Sequence, residues 1–224
     1  MVKYVLIDMD DTLCDFFLSA NCAIEKMFKK NGFPYDENTL KIYREVCDPL
    51  WNLVEKRELT LKELQKVRWT KVFKRLNIDA PDGDYESQYR ENLANTVFLI
   101  DGAKELLKYL SSKYTVCVAT NSHYNQQMAR LKLAGLDLYV HHLFTSNEIG
   151  YEKPYKEFYA ACLEKLGNPD KSEVIMIGDS INADVKGAWE FGIKAIWFNS
   201  KQKGETCPYA QYTVDSLVGI MDIL

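Results

Sequence analysis

Three carboxylates stand directly after the first apolar run of the chain. The opening sequence MVKYVLIDMDDTLCDF places Asp8, Asp10 and Asp11 behind strand-forming residues. Alternate side chains of an extended strand share a face, so we expect the carboxylates of Asp8 and Asp10 to point the same way. Two carboxylates about 4 Å apart repel by roughly 4 kcal/mol at an effective dielectric constant of about 20. Either one of them is protonated or a cation lies between them.

A second acidic cluster favours the cation. The stretch VIMIGDSINAD indicates an apolar strand, the loop Gly178-Asp179-Ser180 and a helix with Asp184 in its first turn. If this strand neighbours the first one, Asp8, Asp10 and Asp179 converge into a site made of oxygen atoms. Hard oxygen ligands suit Mg²⁺, which retains some water and accepts phosphate oxygens. The sequence therefore predicts a magnesium site, with Asp184 as a further ligand or as support for one.

Two further stretches carry groups that bind an anion. The stretch VCVATNS ends a predicted strand in Thr120 and Asn121, whose hydroxyl and amide groups can donate hydrogen bonds to phosphoryl oxygens. In GYEKPY, Lys153 precedes an expected helix that starts with Pro154, and a helix N-terminus also favours an anion. A divalent ion and Lys153 together bring enough positive charge that the acidic residues need not repel a phosphate ester.

Short strand-like runs alternate with amphipathic helical segments along most of the chain. The predicted strands lie at 4–8, 115–120, 143–146, 174–178 and 195–198. This alternation predicts an α/β fold with a doubly wound, mostly parallel, Rossmann-like sheet, because parallel neighbours need crossover helices and so are buried on both faces. We expect the ligand crevice at the carboxyl ends of the strands, where the strand order reverses.

Residues 15–95 break this alternation, because they show helical periodicity only. The first apolar stripe consists of Phe17, Ala20, Ile24, Met27 and Phe28. A later helix is expected to begin at Thr60, where TLKE is typical of a capping box. We therefore predict two domains, an α/β core made of residues 1–14 and 96–224 and an inserted all-helical cap made of residues 15–95.

The composition argues against several classes of function. The 224 residues carry a formal charge of −4 and no cluster of lysine or arginine, so we expect a small-molecule ligand and no nucleic acid. No apolar run approaches the roughly 20 residues that span a bilayer, which predicts a cytoplasmic protein without membrane association. The six cysteines show no C-x-x-C pairing and are interpreted as reduced thiols. We expect a monomer or a weak homodimer.

Taken in order, the four motifs resemble those of the haloacid dehalogenase (HAD) superfamily. The family pattern D-x-D-x-T, S/T, K and GD-x-x-x-D is matched by Asp8-Met9-Asp10-Asp11-Thr12, Thr120-Asn121, Lys153-Pro154 and Gly178-Asp179-Ser180 with Asp184. The resemblance spans nearly the whole chain, and the helical insert is similar to the C1-type cap of the family. It implies a Mg²⁺-dependent phosphomonoester hydrolase that forms an aspartyl phosphate. Many members have glycine in place of Asp11 and Ser122, so substrate preference is expected to differ there.

The resemblance also implies a role for each matched residue. Asp8 would be the nucleophile that attacks phosphorus, and Asp10 would be the general acid that protonates the leaving oxygen and then activates water. Mg²⁺ would be bound by Asp8, Asp179 and the backbone carbonyl of Asp10, with Asp184 as a direct or supporting ligand. The phosphoryl group would be held by Thr120, Asn121 and Lys153.

Part of the insert indicates a substrate class. The stretches YREVCDPLWNLVEKRELTLKELQKVRW and DDTLCDF are similar to the YjjG-like pyrimidine 5'-nucleotidase branch of the family. This similarity implies a nucleoside 5'-monophosphate, preferably a pyrimidine one, as the substrate. Phe16, Trp51 and Trp69 are candidates to stack on a base. Trp51 and Trp69 also adjoin apolar helical stripes, so core packing is an equal alternative for both.

Other functions remain compatible with parts of this pattern. A phosphatase or mutase acting on sugar phosphates or other small phosphometabolites is the main alternative. A 2-haloacid dehalogenase would use the same fold and Asp8, but it needs neither a metal nor a second acid, so Asp10 argues against it. A non-catalytic binding module would not need the complete set of carboxylates and Lys153. Cys14 has no histidine beside it as an activating base, and His123 is expected to be a solvated loop residue.

Overall fold

A computed structural model describes residues 1–201, 204 and 206–224 of the chain. Within these residues the chain divides into two compact units, Met1–Phe16 with Val97–Leu224 and Phe17–Thr96. The division predicted from the sequence lies at residues 14/15 and 95/96. That the two units act as a catalytic core and a cap stays a prediction.

The strands and helices follow one another in the expected alternation outside the insert. The strands are β1 (Tyr4–Ile7), β2 (Thr115–Thr120), β3 (His142–Thr145), β4 (Val174–Gly178), β5 (Lys194–Phe198) and β6 (Tyr212–Val214). The helices are α1 (Phe16–Lys30), α2 (Glu37–Glu55), α3 (Leu61–Leu76), α4 (Tyr85–Ala94), α5 (Ala103–Ser111), α6 (Tyr124–Ala134), α7 (Ser146–Ile149), α8 (Lys156–Lys165) and α9 (Gly187–Phe191). A π-helical turn at Ile181–Lys186 leads into α9.

The strands of the first unit form one parallel sheet. Their order is β3-β2-β1-β4-β5-β6, and each pairing between described strands is parallel. The chain builds outward from β1 in one direction through β2 and β3, and in the other direction through β4, β5 and β6. The switch point therefore lies between β1 and β4, where folds of this kind bind ligands. The predicted doubly wound α/β sheet is confirmed.

Helices cover both faces of this sheet. Val5 and Ile7 of β1 belong to the same core cluster as Leu106 of α5, and all three are fully buried. Leu6, which points to the opposite face, belongs to the cluster that contains Phe158 of α8. Because both faces of β1 are buried, its sequence is a continuous apolar run and lacks the polar alternation of a half-exposed strand.

Two of the helices in the second unit begin with a capping box. The hydroxyl of Thr60 accepts a hydrogen bond from the backbone N–H of Glu63, whose carboxylate accepts one from the backbone N–H of Thr60. This is the helix start that TLKE predicts. Asp36 and Thr39 make the equivalent pair of contacts at the start of α2.

The core of the second unit is aromatic and contains a buried ion pair. The rings of Phe73 and Tyr85 are 4.8 Å apart between centroids. Arg68 Nη2 lies 2.5 Å from Glu86 Oε1, and the indole N–H of Trp69 donates to Glu86 Oε2 at 3.1 Å. Trp69 is 4% exposed. The burial of Trp69 thus supports core packing, the alternative to base stacking.

Three details differ from the sequence expectations. Strand β6 is not predicted, because Tyr212–Val214 is short and mostly exposed and so lacks the apolar pattern of a buried strand. Helix α8 begins at Lys156 and not at Pro154, because Tyr155 has an extended backbone, so Lys153 does not directly precede the helix. Phe17, expected in the apolar stripe of α1, is 43% exposed, and Cζ of Arg44 lies 5.7 Å from the centroid of its ring.

The helices and the cysteines bear on the expectations about membranes and disulfides. Among the described residues, no helix combines the length and apolar character needed to cross a bilayer. The cysteines are free thiols, as expected. Burial raises the pKa of Cys14 to about 12, so its thiol stays protonated at neutral pH and is a poor nucleophile. The cytoplasmic location stays a prediction.

Candidate active site

The carboxyl ends of β1, β2 and β4 meet at the switch point of the sheet. Ile7 of β1 pairs with Ile177 of β4, and the backbone N–H of Asp8 donates to the carbonyl of Ile177 at 2.9 Å. Asp8 follows the last residue of β1, Thr120 is the last residue of β2, and Asp179 follows the last residue of β4. The acidic motifs therefore lie on neighbouring strands, as the predicted metal site requires.

Three carboxylates form a cluster at this edge of the sheet. One oxygen atom from each of Asp8, Asp179 and Asp184 lies within 4.8 Å of the other two. Burial raises the pKa of Asp179 to about 7, and the neighbouring carboxylate of Asp184 adds to the shift. Burial also raises the pKa of Asp8, by more than the nearby ammonium of Lys153 lowers it. Additional positive charge at the cluster would favour the ionised forms of Asp8 and Asp179.

Lys153 is a buried member of this cluster. Its Nζ donates to Asp8 Oδ1 at 2.5 Å, to Asp184 Oδ1 at 2.7 Å and to the carbonyl oxygen of Ala119 at 2.7 Å. Its side chain is 2% exposed. Burial disfavours an ammonium group, but the carboxylates of Asp184 and Asp8 outweigh it and hold the pKa of Lys153 above its usual value.

The charges and donor atoms of the cluster fit a divalent cation. When all three carboxyl groups are ionised, Asp8, Asp179 and Asp184 together with the ammonium of Lys153 carry a net charge of minus two. The donor atoms offered by the three carboxylates are all oxygen, which Mg²⁺ prefers over nitrogen and sulfur. The predicted ligands Asp8, Asp179 and Asp184 are thus brought together in a form suited to this ion.

A glycine and a π-helical turn admit Asp184 to the cluster. The backbone N–H of Ser180 donates to Asp184 Oδ2 at 3.0 Å, within the turn that starts at Ile181. A Cβ atom at Gly178 would lie 2.3 Å from Asp184 Oδ2, so any larger residue at this position would collide with the carboxylate. Single π-helical turns occur frequently at functional sites. Asp184 is therefore held by the local backbone and is not merely an acidic residue in the first turn of a helix.

The carboxylate of Asp10 contacts a different set of groups. Arg130 Nη1 donates to Asp10 Oδ1 at 2.5 Å, and Gln127 Nε2 donates to Asp10 Oδ2 at 2.8 Å. Within the described residues, Asp10 is not one of the clustered carboxylates. A metal contact through Asp10 would therefore use its backbone carbonyl, as the resemblance implies. Arg130 and Gln127 are not predicted as site residues, because the sequence alone does not show whether a single polar residue in a helix is buried.

The predicted phosphate-binding residues at the carboxyl end of β2 have hydrogen-bond partners within the protein. Thr120 Oγ1 accepts a hydrogen bond from Gln127 Nε2 at 3.2 Å. Asn121 Nδ2 donates to the backbone carbonyl of Lys153 at 2.9 Å, and Asn121 Oδ1 accepts from the N–H of Lys153 at 2.7 Å. Asn121 therefore fixes the backbone that carries Lys153. A side-chain amide has two N–H donors, so a contact between Asn121 and phosphate stays a prediction.

Two further residues hold Asp179 in place. Thr12 Oγ1 lies 3.3 Å from Asp179 Oδ1, to which it donates, and 3.1 Å from the backbone N–H of Asp179, from which it accepts. The indole N–H of Trp197 donates to the carbonyl of Asp179 at 2.9 Å. Thr12 was part of the first motif without an assigned role, and Trp197 was hidden in the apolar pattern of β5.

Asp11 has a local structural role. Its backbone φ of 60° lies in the left-handed region, which explains why glycine is favoured at this motif position. The carboxylate accepts a hydrogen bond from the backbone N–H of Phe16 at 3.2 Å and lies 3.7 Å from Lys201 Nζ. Aspartate tolerates this conformation because its short side chain bonds locally. Burial raises the pKa of Asp11, and Lys201 partly offsets this effect.

Comparisons with known proteins agree with this geometry. The chain is 29% identical to the pyrimidine 5'-nucleotidase PynA of Streptococcus pneumoniae, over 99% of this chain and 94% of PynA. It is 28% identical to the pyrimidine 5'-nucleotidase YjjG of Escherichia coli, over 99% of this chain and 97% of YjjG. The crystal structure of the HAD-hydrolase YfnB from Bacillus subtilis bound to magnesium matches 100% of this chain and 98% of that chain, with a TM-score of 0.92 and 27% identity. Residues 2–192 match the family model of haloacid dehalogenase-like hydrolases, and the chain belongs to this family.

Proposed function

We propose that the chain is a Mg²⁺-dependent phosphomonoester hydrolase that forms an aspartyl phosphate at Asp8. The observation that carries this proposal is the cluster of Asp8, Asp179, Asp184 and Lys153 at the switch point between β1 and β4. Its excess negative charge and oxygen ligands suit a divalent ion and a substrate that shares it. The magnesium-bound relative YfnB supports the choice of ion. The division into a catalytic core and a cap is part of the proposal.

The ion would be held by four groups of the first unit. These are the carboxylates of Asp8, Asp179 and Asp184 and the backbone carbonyl of Asp10. A bound Mg²⁺ would neutralise charge on the phosphoryl oxygens and help to keep the carboxylate of Asp8 ionised. That second effect matters here, because burial raises the pKa of Asp8 and a protonated carboxyl group cannot attack phosphorus.

In the first step, Asp8 would act as the nucleophile. Lys153 binds one carboxylate oxygen of Asp8, Oδ1, and the attack on phosphorus would use the other. The bond between phosphorus and the ester oxygen breaks as the new bond to Asp8 forms. Asp10 donates a proton to the departing oxygen, so the alcohol leaves in its neutral form.

In the second step, Asp10 would act as the general base. Its carboxylate, now without a proton, accepts one from a water molecule whose oxygen attacks phosphorus. The bond between phosphorus and Asp8 breaks, which releases inorganic phosphate and restores both carboxyl groups. The same residue thus supplies the proton in one step and recovers it in the next.

The phosphoryl group would be held by Thr120, Asn121 and Lys153. The three N–H groups of Lys153 have three acceptors in this structure, so a direct hydrogen bond to substrate would replace one of these acceptors. Even without that exchange, the buried ammonium would stabilise negative charge that develops at phosphorus. Thr120 would contribute its hydroxyl proton, since its oxygen accepts from Gln127.

A nucleoside 5'-monophosphate, preferably a pyrimidine one, is the proposed substrate. Full-length similarity to PynA and YjjG supports this choice, because both of those proteins are pyrimidine 5'-nucleotidases. The test is a panel of pyrimidine and purine nucleoside 5'-monophosphates and sugar phosphates, assayed for inorganic phosphate with Mg²⁺ and with EDTA. We expect release from pyrimidine nucleotides that EDTA abolishes and that Asp8→Asn lacks.

The panel also separates the proposal from its alternatives. Preferential hydrolysis of sugar phosphates would keep the reaction class and replace the substrate. Isomerisation of a sugar phosphate without net phosphate release would identify a mutase. Hydrolysis that persists in excess EDTA would contradict the role of the metal, and inactivity on every ester with Mg²⁺ would contradict the proposed function.

A further inference from the structure

Two side chains of α6 form a closed set of hydrogen bonds with Asp10. Arg130 Nη1 donates to Asp10 Oδ1 at 2.5 Å and to Gln127 Oε1 at 2.9 Å. Gln127 Nε2 completes the ring by donating to Asp10 Oδ2 at 2.8 Å. Both oxygens of the carboxylate are therefore engaged, which restricts rotation of the carboxylate about its bond to Cβ.

Burial adds rigidity to this ring. The side chain of Arg130 is 0% exposed and that of Asp10 is 24% exposed, and Gln127 is fully buried. Arg130 and Gln127 are three positions apart in α6, so they lie on the same face of that helix. A buried guanidinium group requires a hydrogen-bonded counter-ion, and Asp10 provides one in its ionised form. When Asp10 carries the proton that it delivers, its two oxygens retain lone pairs that accept the same hydrogen bonds from Arg130 and Gln127. The partly exposed carboxylate is thus held by hydrogen bonds from two buried side chains that have little freedom to move.

Gln127 also connects Asp10 to a predicted phosphate-binding residue. The same Nε2 atom that donates to Asp10 lies 3.2 Å from Thr120 Oγ1, to which it also donates. One amide group therefore sets the position of the Asp10 carboxylate relative to the hydroxyl of Thr120. In the proposed reaction Thr120 binds the phosphoryl group and Asp10 protonates the leaving oxygen, so the rate depends on the position of Asp10 relative to Thr120.

We propose that Arg130 and Gln127 are positioning residues, which hold the carboxyl group of Asp10 in the orientation from which its protonated form donates a proton to the leaving oxygen. This inference rests on the proposed function, in which Asp10 is the general acid. Arg130 donates to Asp10, and Gln127 donates to Asp10 and to Thr120. Neither substitution removes a group of the cluster formed by Asp8, Asp179, Asp184 and Lys153. The loss should therefore depend on how much the leaving group needs a proton.

The test compares an alkyl phosphate with an aryl phosphate. The alcohol of a nucleoside 5'-monophosphate is a poor leaving group without a proton, whereas p-nitrophenolate leaves readily as the anion. When loss of the alcohol is irreversible, kcat/KM reports the steps up to that point and excludes the later attack of water. For Gln127→Met and Arg130→Met we expect kcat/KM to fall at least roughly 30-fold with the nucleotide, since a general acid contributes about 10²–10⁴-fold. With p-nitrophenyl phosphate we expect a decrease of less than about threefold, because that leaving group gains little from general acid catalysis.

The neighbouring glutamine provides a matched control. Gln126 is also buried in α6, but its Nε2 donates to Ser122 Oγ at 3.2 Å and not to Asp10. Gln126→Met should change kcat/KM by the same factor for both substrates. Arg130→Lys keeps a positive charge near Asp10 and should recover part of the nucleotide activity that Arg130→Met loses. Thermal melting of each variant establishes that it is folded, and Gln127→Met decides the matter if Arg130→Met does not fold.

The outcomes distinguish this inference from the proposed function. Equal losses with both substrates in Gln127→Met, or no loss with either, would overturn the positioning role while the hydrolase stands. A wild-type protein that hydrolyses neither ester would instead overturn the proposed function. Retention of nucleotide hydrolysis by Asp10→Asn would remove the general acid on which the inference rests.

Discussion

Replacement of Lys153 by methionine tests the electrostatic account of the cluster. The substitution keeps most of the side-chain volume but removes the ammonium group that lies 2.5 Å from Asp8 and 2.7 Å from Asp184. The oxygens of these carboxylates lie within 4.8 Å of one another. Two charges at that separation repel by about 3.5 kcal/mol at an effective dielectric constant of about 20. Without Lys153, the cluster loses the ammonium group that offsets this repulsion at Asp8 and Asp184.

The expected effect is large enough to measure by calorimetry. Removal of one partner from a buried ion pair costs about 3–5 kcal/mol. For a chain of this size, about 2–4 °C of melting temperature corresponds to 1 kcal/mol, so Lys153→Met should lower Tm by roughly 6–20 °C in EDTA. The control is Lys156→Met, which removes an exposed lysine three positions away. Its Tm should stay within about 2 °C of wild type, because exposed charges contribute little.

The dependence on pH gives this prediction a second readout. Burial raises the pKa of Asp8 and Asp179 in the folded state, so the folded protein retains protons that the unfolded chain releases. The stability contributed by such groups is present at low pH and is lost as the pH rises through the folded-state pKa values. Lys153 lowers the pKa of both carboxyl groups, so Lys153→Met should raise these pKa values further. The deficit of the variant should therefore grow between about pH 6 and pH 8, around the pKa of about 7 of Asp179. A variant that melts like wild type across this range would refute the account.

Three further predictions follow from individual contacts. Asp10→Ala should lower the free energy of unfolding by about 3–5 kcal/mol, because it leaves the buried guanidinium of Arg130 without its partner. Asp10→Asn should lower the free energy of unfolding by less, and urea unfolding measures both values. Gly178→Ala should weaken Mg²⁺ binding at least about tenfold by calorimetry, because its Cβ would displace Asp184, and unchanged affinity would count against that contact. Protonation of Asp179, whose pKa is about 7, should weaken Mg²⁺ binding about tenfold per pH unit below that value, and a flat profile from pH 5.5 to 8 would contradict this competition.

The architecture could be predicted because strands that are buried on both faces are continuous apolar runs in the sequence. Continuous apolar runs such as Val174–Gly178 occur where both faces of a strand are covered, and acidic residues directly after them must lie at the carboxyl end of the sheet. The predicted metal site then required only that β1 and β4 be neighbouring strands, and they are. The exposed strand β6 has no such run, because Tyr212–Val214 packs on the sheet edge with little buried apolar area.

Side-chain partners at the site were much harder to predict. Lys153 was expected directly before a helix, whereas it lies buried among carboxylates and the helix begins only at Lys156. Its contact with a phosphate stays a prediction. Arg130 and Gln127 were not identified, since a polar residue in an amphipathic helix is usually solvated and burial is set by tertiary packing. Periodicity determines which face a residue occupies, but it does not determine which distant group that residue meets.

The most direct test of the account is to locate the phosphoryl group during turnover. The wild-type protein, mixed with Mg²⁺ and its best substrate, is quenched rapidly and reduced with borohydride, and the peptide that contains residue 8 is examined by mass spectrometry. The account predicts reduction of the acyl phosphate at Asp8 in wild type and no such product in Asp8→Asn. Steady hydrolysis with the phosphoryl group on another residue, or on no residue at all, would contradict it.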